Sequence, residues 1–304
     1  MISFNQHIKH INEGVGTVGH DILTVIQENM GGFSKGQRKI ADFILNSYDK
    51  AAFMTASCLG KKVGVSESTV VRFASELGYD GYPDMQRSLQ KMIRNRLTTV
   101  QRIEVTKDRL GNHDLLSMVL QSDIDKIRLT LEELDRESFN QAVDAIVAAR
   151  KIYIIGVRSS AAVASFLFFY FNLIFDNVAL VSANTASEIF ESLLRVGEGD
   201  AVIGVSFPRY SSRTVQAMSF ARDRGAATIA ITDGEASPLA SISTYNLMAR
   251  SDMASFVDSL VAPLSLVNAL LVAVSQRKND ELARTFQTLE GIWDEYGVYE
   301  KVPE

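Results

Sequence analysis

Residues 55–78 decide the fold of the N-terminal part of the chain. They read Thr-Ala-Ser-Cys-Leu-Gly-Lys-Lys-Val-Gly-Val-Ser-Glu-Ser-Thr-Val-Val-Arg-Phe-Ala-Ser-Glu-Leu-Gly. Thr55 suits the cap of a first short helix, and Gly64 suits the tight turn after it. Ser66 suits the cap of a second helix, which Gly78 ends. Two short helices joined by a glycine turn are typical of a helix-turn-helix, and the stretch predicts this motif.

The two sides of the second helix differ in chemistry. Apolar residues at helical spacing are expected to pack the helix pair, and Gly60 is small where the helices approach; the apolar set is Val65, Val70, Phe73 and Leu77. The opposite side carries hydroxyls and a guanidinium, which suit base edges and phosphates. The predicted DNA contacts are Ser66, Ser68, Thr69, Arg72, Lys61 and Lys62. A plain helical hairpin is the alternative, but the caps, turn and polar outer side together favour binding to double-stranded DNA.

The charge distribution supports DNA binding. Residues 33–110 carry 14 Lys and Arg against 8 Asp and Glu, whereas the rest of the chain carries 17 against 28. The two parts have net charges of +6 and −11, which add to the −5 of the whole chain. A basic segment on an acidic protein is the electrostatic signature of a DNA-binding module. Arg87, Lys91, Arg94 and Arg96 continue the basic run, where we expect phosphate contacts.

Composition limits the class of protein. With 304 residues, 46% of them hydrophobic and 22% charged, the chain is expected to form about two globular domains. Its single cysteine, Cys58, excludes a disulfide framework within the chain, fits a reducing cytoplasm and is expected to be a packing residue. No signal-peptide pattern opens the sequence. The apolar stretch 161–175 is shorter than the roughly 20 residues of a membrane span, so it predicts a buried helix and no membrane partner.

The hydrophobic period changes after Arg150. Short apolar runs follow, separated by helical stretches, at Ile152–Ile155, Val178–Val181, Ala201–Val205, Ala227–Ile231 and Tyr245–Met248. This alternation predicts an α/β domain with a five-stranded, mostly parallel sheet covered by helices on both faces, joined to an all-α N-terminal domain. The predicted boundaries are a DNA-binding domain over 1–96, a linker over 97–125 and an effector domain over 126–304. Ser138 is expected to cap a helix over 139–149.

Three predicted strand ends are rich in hydroxyl residues, and ligands of open α/β sheets bind beyond such ends. The loops are 156–160, 206–214 and 232–238. Hydroxyls with the free N–H groups of a helix N-terminus suit a phosphate or a carboxylate, and ordinary helix capping is the alternative. The predicted effector site comprises Gly156, Arg158, Ser159, Ser160, Ser206, Arg209, Ser211 and Ser212. A dinucleotide site is disfavoured because Arg158 and Ala161 stand where Gly-x-Gly-x-x-Gly needs its later glycines.

The chain resembles the RpiR family of bacterial transcriptional regulators, which join an N-terminal helix-turn-helix to a sugar isomerase (SIS) domain. The resemblance covers about residues 33–285 and is carried by 64–66, 71–73 and 77–82, by Gly156 with Ser159-Ser160, by 206–211, and by 232–239. It implies a homodimer or homotetramer whose SIS domain senses a sugar phosphate or sugar acid and thereby alters the hold of the N-terminal domain on DNA. The function expected is regulation of carbohydrate metabolism.

The second loop departs from the usual SIS pattern Ser-x-Ser-Gly-Glu-Thr. Ser206 is kept and Ser211 stands at the Thr position, while Pro208, Arg209 and Tyr210 replace Ser, Gly and Glu. The loop keeps part of its hydroxyl set and gains an arginine. A phosphate ligand therefore stays plausible, and a carboxylate becomes more credible than the resemblance alone implies.

The alternative function is a sugar phosphate isomerase with an accessory DNA-binding domain. Such an enzyme needs a general base, yet all four histidines lie before the α/β domain and Tyr210 replaces the loop glutamate. Glu188 and Glu191 are the remaining candidate bases, and solvated helix positions are their simpler interpretation. We therefore expect no catalysis, no cofactor and no metal. A sugar-binding scaffold without DNA is a third class, disfavoured by the coincidence of positive charge and helix-turn-helix.

Helix-turn-helix proteins commonly bind paired half-sites, which requires two copies at a fixed separation. The apolar stretches 161–175 and 261–275 exceed what one small domain needs for its core, so one of them is expected to form a subunit interface.

Overall fold

The computed structural model describes residues 22–94, 98–103, 114–181, 185–251 and 257–300. The chain divides into two compact units, Met1–Val105 and Thr106–Glu304. This division does not test the predicted boundaries at 96 and 125, which stay predictions.

The described part of the first unit is helical. Its helices are α1 Ile22–Asn29, α2 Lys35–Asn46, α3 Tyr48–Ala51, α4 Ala56–Val63, α5 Glu67–Glu76 and α6 Tyr82–Arg94. Ser34 caps α2 in a capping box with Gln37. The apolar sides of these helices meet in a core in which Ile40, Leu59 and Phe73 are fully buried. The fold of this unit is therefore set by helix packing, as the 3.6-residue periodicity predicts.

Helix α6 is attached to the loop after α3 by side-chain hydrogen bonds. The Tyr82 hydroxyl donates to the Met54 carbonyl oxygen at 2.8 Å, and the Gln86 amide donates to the same oxygen at 2.8 Å. One turn further on, Gln90 donates to the Ala52 carbonyl oxygen at 2.8 Å. These bonds satisfy carbonyls at the end of a four-residue helix, which has few intrahelical partners of its own.

The second unit contains the predicted parallel sheet. Its elements are α7 Leu115–Glu133, α8 Arg136–Ala148, β1 Ile152–Gly156, α9 Ser160–Ile174, β2 Val178–Leu180, α10 Ala186–Ser192, β3 Ala201–Val205, α11 Ser212–Asp223, β4 Ala227–Thr232, β5 Tyr245–Met248, α12 Val261–Arg277 and α13 Asn279–Glu295. The strand order is β2-β1-β3-β4-β5, and every pair is parallel. The predicted α/β class and the five predicted strands are confirmed.

Helices cover both faces of the sheet. On one face, Ile154, Ile203 and Ile229 join a core that includes residues of α8, α9 and α12. On the other face, Tyr153 and Val202 join residues of α10 and α11. All five residues of β1 and of β3 are buried, as expected for central strands of a parallel sheet.

Helix α7 begins at Leu115, where the sequence pattern becomes helical, and its first part lies within the predicted linker. Two details differ from the sequence predictions. Asp135, and not Ser138, caps α8, because its carboxylate accepts from the backbone N–H groups of the first turn. The predicted buried helix over 161–175 is α9, which leaves Phe169 and Tyr170 exposed. Within the described ranges, no helix combines the length and the apolar character needed to cross a membrane.

Candidate nucleic-acid interface and effector site

Hydroxyl caps begin both helices of the predicted motif. Thr55 Oγ1 accepts from the Cys58 backbone N–H at 3.2 Å at the start of α4. Ser66 Oγ accepts from the Thr69 backbone N–H at 3.3 Å at the start of α5. Each cap satisfies a donor that has no partner inside its own helix. The two predicted caps are confirmed.

Glycines fix the geometry between and after these helices. Gly64 follows α4 with φ of 71°, in the left-handed region, and Gly78 follows α5 with φ of 90°. A Cβ atom on Gly60 would lie 2.9 Å from the Val65 carbonyl oxygen, closer than real Cβ atoms come to backbone. The close approach predicted at Gly60 is therefore real, and it sets the distance between α4 and the turn.

The first turn of α5 gathers the predicted hydroxyl residues. Ser66 Oγ lies 2.9 Å from Ser68 Oγ and 2.8 Å from Thr69 Oγ1. Ser66 and Ser68 are exposed, whereas Thr69 is half-buried and its methyl group lies against Gly36 of α2. The structure therefore presents the two serines to solvent and uses part of Thr69 for packing.

Arg72 is exposed on α5, and its Nε donates to the Ser68 carbonyl oxygen at 3.2 Å. A pair with Glu76, four residues on, would have been the simplest use of this guanidinium. Glu76 instead accepts a hydrogen bond from the Gln37 side chain of α2. In the described part of the chain, Arg72 forms no ion pair, so its charge is directed outward.

Two exposed residues beside this face were missed by sequence reasoning. Val71 lies next to Arg72 on the outer side of α5 and is 39% exposed, where a methyl group can contact thymine. Lys39 of α2 has its Nζ 4.0 Å from a Cβ position built on Gly64. Helical spacing from Ser68 could have indicated Val71. Lys39 depends on how α2 packs and has no sequence signal.

The other predicted basic residues differ in environment. Lys61 and Lys62 are exposed in the last turn of α4. Arg87 is exposed but pairs with Asp84 at 3.2 Å, so part of its charge is compensated. The side chains of Lys91 and Arg94, and the whole of residue 96, lie outside the described residues. Cys58 is exposed, and the expectation that it is a packing residue is wrong, because its helix turns that side to solvent.

The three hydroxyl loops of the second unit follow neighbouring strands. Gly156 at the end of β1 is paired with Val205 at the end of β3, which is paired with Ile231 of β4. Parallel strands end at the same edge, so the loops after β1, β3 and β4 lie side by side.

The loop after β1 leads into the N-terminus of α9. Arg158 adopts a left-handed φ of 57°, and Ser159 occupies the cap position without making a side-chain cap bond. Ser159 and Arg158 are exposed, while Ser160 is buried. A Cβ atom on Gly156 would lie 2.6 Å from the Ser160 carbonyl oxygen, so Gly156 serves the close approach of α9. A hydroxyl at a helix N-terminus with no cap bond is placed to meet an anion.

The loop after β3 uses its serines partly within the protein. Ser206 is buried, and its Oγ accepts from the Ser211 backbone N–H at 3.2 Å. Ser211 Oγ in turn accepts from the Thr214 backbone N–H at 3.4 Å and caps α11. Arg209 and Ser212 are exposed at the same loop. The predicted residues thus lie together around the start of α11.

Thr214 was missed by sequence reasoning. It lies in the first turn of α11 with none of its surface exposed, and within the described residues its Oγ1 has no hydrogen-bond partner. A buried hydroxyl without a partner costs about 1–3 kcal/mol unless a water or ligand satisfies it. Its position three residues after Ser211 was visible in the sequence, but its burial was not.

Tyr210 and the loop after β4 are linked. The Tyr210 hydroxyl donates to Asp233 Oδ1 at 2.7 Å. Thr232 Oγ1 donates to the Ser206 carbonyl oxygen at 2.8 Å and lies 2.7 Å from Ser237 Oγ. The second and third loops are therefore joined by hydrogen bonds, which fix Ser206 relative to β4. Among the residues that the structure describes, no group of three His, Cys, Asp or Glu side chains is placed to hold a metal ion.

Comparison with known families explains the combination of these two units. Residues 20–96 match the model of the helix-turn-helix domain of the rpiR family, and residues 145–273 match the model of the SIS domain. The chain belongs to the RpiR family. Its similar curated proteins include the HTH-type transcriptional regulator HexR of Escherichia coli, 27% identical over 281 residues that cover 89% of this chain and 94% of HexR. HexR of Pseudomonas aeruginosa is 27% identical over 266 residues, covering 85% and 90%.

Solved structures share the fold of this RpiR-family chain. Vibrio vulnificus NanR, solved in complex with ManNAc-6P, is 24% identical with a TM-score of 0.56, covering 90% of this chain and 98% of that one. The sugar isomerase domain of an RpiR transcription factor from Sphaerobacter thermophilus is 29% identical with a TM-score of 0.56, covering 59% and 99%. The second of these corresponds to the α/β unit alone.

Proposed function

We propose that this protein is a DNA-binding transcriptional regulator of carbohydrate metabolism whose SIS domain senses a phosphorylated or acidic sugar. The observation that carries the proposal is an exposed Arg72 beside the hydroxyls of α5, without an ion pair among the described residues, on a helix-turn-helix of the rpiR family. The partners are double-stranded DNA and a small anionic effector. The proposed DNA partner, and a single cysteine that fits a reducing compartment, both favour the cytoplasm as the site of action.

DNA binding is proposed for the outer side of α5 with the end of α4. Arg72 and Val71 would face base edges in the major groove. The sugar-phosphate backbone of DNA or adjacent bases would be contacted by Ser66, Ser68, Thr69, Lys61 and Lys62. Selection of bound fragments from a genomic library would supply an operator for quantitative binding. Arg72→Ala should weaken binding by about 1–3 kcal/mol and relax preference at one base position. Arg222→Ala, an exposed arginine of the second unit paired with Asp223, is the control and should change nothing.

Failure of Arg72→Ala to change either affinity or base preference would remove the base-contacting role. If Lys61→Ala and Lys62→Ala also leave affinity and its salt dependence unchanged, the proposed face is wrong.

An anionic effector is proposed for the loops after β1 and β3. Its support is the Ser159 hydroxyl, which makes no cap bond at the N-terminus of α9, together with the buried Thr214 hydroxyl of α11, which has no hydrogen-bond partner among the residues that the structure describes. Arg158, Arg209 and Ser212 are exposed in these loops, Ser160 and Ser206 are buried, and Ser211 is half-buried. NanR, which has the same fold, was solved in complex with the sugar phosphate ManNAc-6P.

Ser159→Ala tests the effector site with little structural disturbance, since Ser159 makes no cap bond. A thermal-shift screen of sugar phosphates and sugar acids, with inorganic phosphate for reference, should identify ligands that raise Tm. Ser159→Ala should reduce that shift, whereas Thr285→Ala on the exposed side of α13 should keep it. Ser211→Ala is less informative because it also removes the cap of α11. An unchanged shift in Ser159→Ala would place the effector elsewhere.

Isomerase activity is the competing function, and the local contacts disfavour it. Tyr210 stands at the glutamate position of the SIS pattern and is bonded to Asp233. The Glu188 carboxylate accepts from the Thr185 backbone N–H in a capping box, and Glu191 is exposed. We therefore propose that the protein is not an enzyme. Isomerisation of any sugar phosphate by the purified protein, abolished in Glu188→Ala, would contradict this.

A homodimer is proposed as the functional state, because paired half-sites need two motifs held together. Sedimentation at micromolar concentration should give twice the 33.5 kDa mass of the chain.

A further inference from the structure

Helix α7 turns its polar side toward its own domain. Lys126 and Thr130 are its buried residues, and Asp123 is nearly buried beside them. An amphipathic helix on a protein surface normally buries its apolar side. The orientation of α7 is therefore the reverse of what its sequence would produce on a domain that acts alone.

The buried Lys126 is satisfied within α7, where its Nζ donates to Ser122 Oγ at 3.0 Å and lies 3.2 Å from Asp123 Oδ1. The orientation of α7 is set by hydrogen bonds from outside the helix. Ser259 Oγ donates to Asp123 Oδ1 at 2.6 Å, from the segment that leads into α12.

The same polar side is bonded to the end of the sheet. The Arg250 backbone N–H donates to Thr130 Oγ1 at 2.9 Å, and the Arg250 guanidinium pairs with Glu133. Rotating α7 to bury its apolar side would break the bonds from Ser259 and Arg250, so that the Ser259 hydroxyl and the Arg250 backbone N–H lose these acceptors. The helix is held in the position that exposes its aliphatic residues.

The exposed side of α7 carries an unbroken row of aliphatic residues, called here the aliphatic stripe. Each member is between 38 and 70% exposed, and consecutive members are three or four residues apart. The stripe consists of Leu116, Leu120, Ile124, Ile127 and Leu131. This spacing puts all five on one line along the helix and is that of a helix-pairing seam. Further exposed apolar residues of the helix are Leu115, Met118, Val119 and Leu129.

We propose that the aliphatic stripe is the interface with a second copy of this chain, formed by antiparallel pairing of two α7 helices. The proposal refines the homodimer proposed above by naming its surface, and it does not depend on DNA or effector binding. The stripe contains no charged residue, so a partner of the same apolar chemistry fits it. Soluble monomers seldom expose apolar patches larger than a few hundred Å², and an α-helix of this length measures about 28 Å.

The spacing of the stripe is self-complementary. Reversed about a point between Asp123 and Ile124, Leu116 falls opposite Leu131 and Leu120 falls opposite Ile127. Ile124 then lies beside its own copy. A two-fold axis requires such a match, because the same surface must serve both partners. A stable dimer interface usually buries roughly 800 Å² of the surface of each protomer. Two α7 helices paired along this length, with their flanking apolar residues, would form the centre of such an interface.

Sedimentation of the full chain provides the first test. Ile124→Glu should convert the dimer to a monomer, weakening dimerisation at least about 100-fold, because the buried carboxylates lose their hydration. Leu194→Glu is the matched control: Leu194 is 64% exposed but lies outside α7, and the variant should remain dimeric. A dimeric Ile124→Glu variant would overturn the surface while leaving the homodimer itself intact. A monomeric wild type would overturn both.

Cross-linking provides a second test that does not depend on a disruptive charge. In a Cys58→Ser background, which removes the single cysteine, Ile124→Cys should cross-link to its copy with a short bis-maleimide, since packed helix axes are about 8–10 Å apart. Leu116→Cys should not, because antiparallel pairing separates the two positions by roughly 22 Å along the axis. Cross-linking at neither position, or equally at both, would contradict the antiparallel interface.

Discussion

At the scale of single residues, the turn between α4 and α5 depends on three positions. Gly60 must carry no side chain, Gly64 must adopt a left-handed φ, and Ser66 must supply a capping hydroxyl. All three were identifiable in the sequence, because each requirement belongs to the residue itself. Thr214 and Lys39 were not identifiable, because their roles come from burial and from the packing of α11 and α2. Sequence therefore identifies residues that serve their own element better than residues that serve a neighbouring one.

Gly60→Ala tests the helix-turn-helix geometry. The added methyl group would lie 2.9 Å from the Val65 carbonyl oxygen, so the turn must shift. We expect a loss of about 1–3 kcal/mol in the stability of the first unit and a large loss of DNA affinity. Gly31→Ala is the matched control, since nothing lies within 4 Å of its added Cβ atom, and it should bind DNA normally. Normal stability and DNA affinity in Gly60→Ala would contradict the structure of the turn.

Tyr82 gives the first unit a specific alkaline sensitivity. Burial, with a smaller contribution from Cys58, raises the pKa of Tyr82 from 10.0 to about 12. Because the folded-state pKa is the higher one, the stabilisation by neutral Tyr82 is complete below pH 10 and declines as pH rises toward 12. Wild type should be more stable than Tyr82→Phe by about 1 kcal/mol at pH 8, from the hydrogen bond to Met54. Denaturant unfolding of both proteins should show this difference shrinking above pH 10, and a constant difference would contradict it.

At the scale of elements, strands were predicted more closely than helix orientations. Short β-branched runs bounded by turns gave all five strands, because parallel strands are buried on both faces and tolerate few polar residues. The outward side of α7 was not predictable, since it depends on Arg250 and Ser259, which are more than 100 residues away along the chain. The interface expected from 161–175 or 261–275 stays a prediction; seven of the 17 residues of α12 are buried in the core of its own domain.

Substitutions of Asp135 and Ser138, at the start of α8, should destabilise different parts of the second unit. Asp135→Ala removes the cap of α8 and should cost about 1 kcal/mol. Ser138→Ala removes the contacts of its hydroxyl with the backbone of Asn246 on the edge strand β5. Hydrogen exchange should therefore quicken at the first turn of α8 in Asp135→Ala and at β5 in Ser138→Ala. The reverse distribution would restore Ser138 as the cap.

At the scale of the whole molecule, the chain joins a helix-turn-helix unit to an α/β unit with a SIS domain. The charge asymmetry between them was visible in the sequence, as was the change from helical to alternating α/β pattern. What sequence could not supply is the mechanism that couples the units. We expect coupling through the dimer. An effector bound at the ends of β1 and β3 would favour one of two arrangements of the dimer, and the arrangement fixes the spacing of the two recognition helices.

The most direct test of the account is the reciprocity of this coupling. With a selected operator and the sugar phosphate or sugar acid that gives the largest thermal shift, DNA affinity is measured with and without ligand, and ligand affinity with and without DNA. Both affinities should change by the same factor, about 5- to 150-fold, and Ser159→Ala should abolish the change while binding DNA normally. DNA affinity that stays the same at saturating ligand would contradict it.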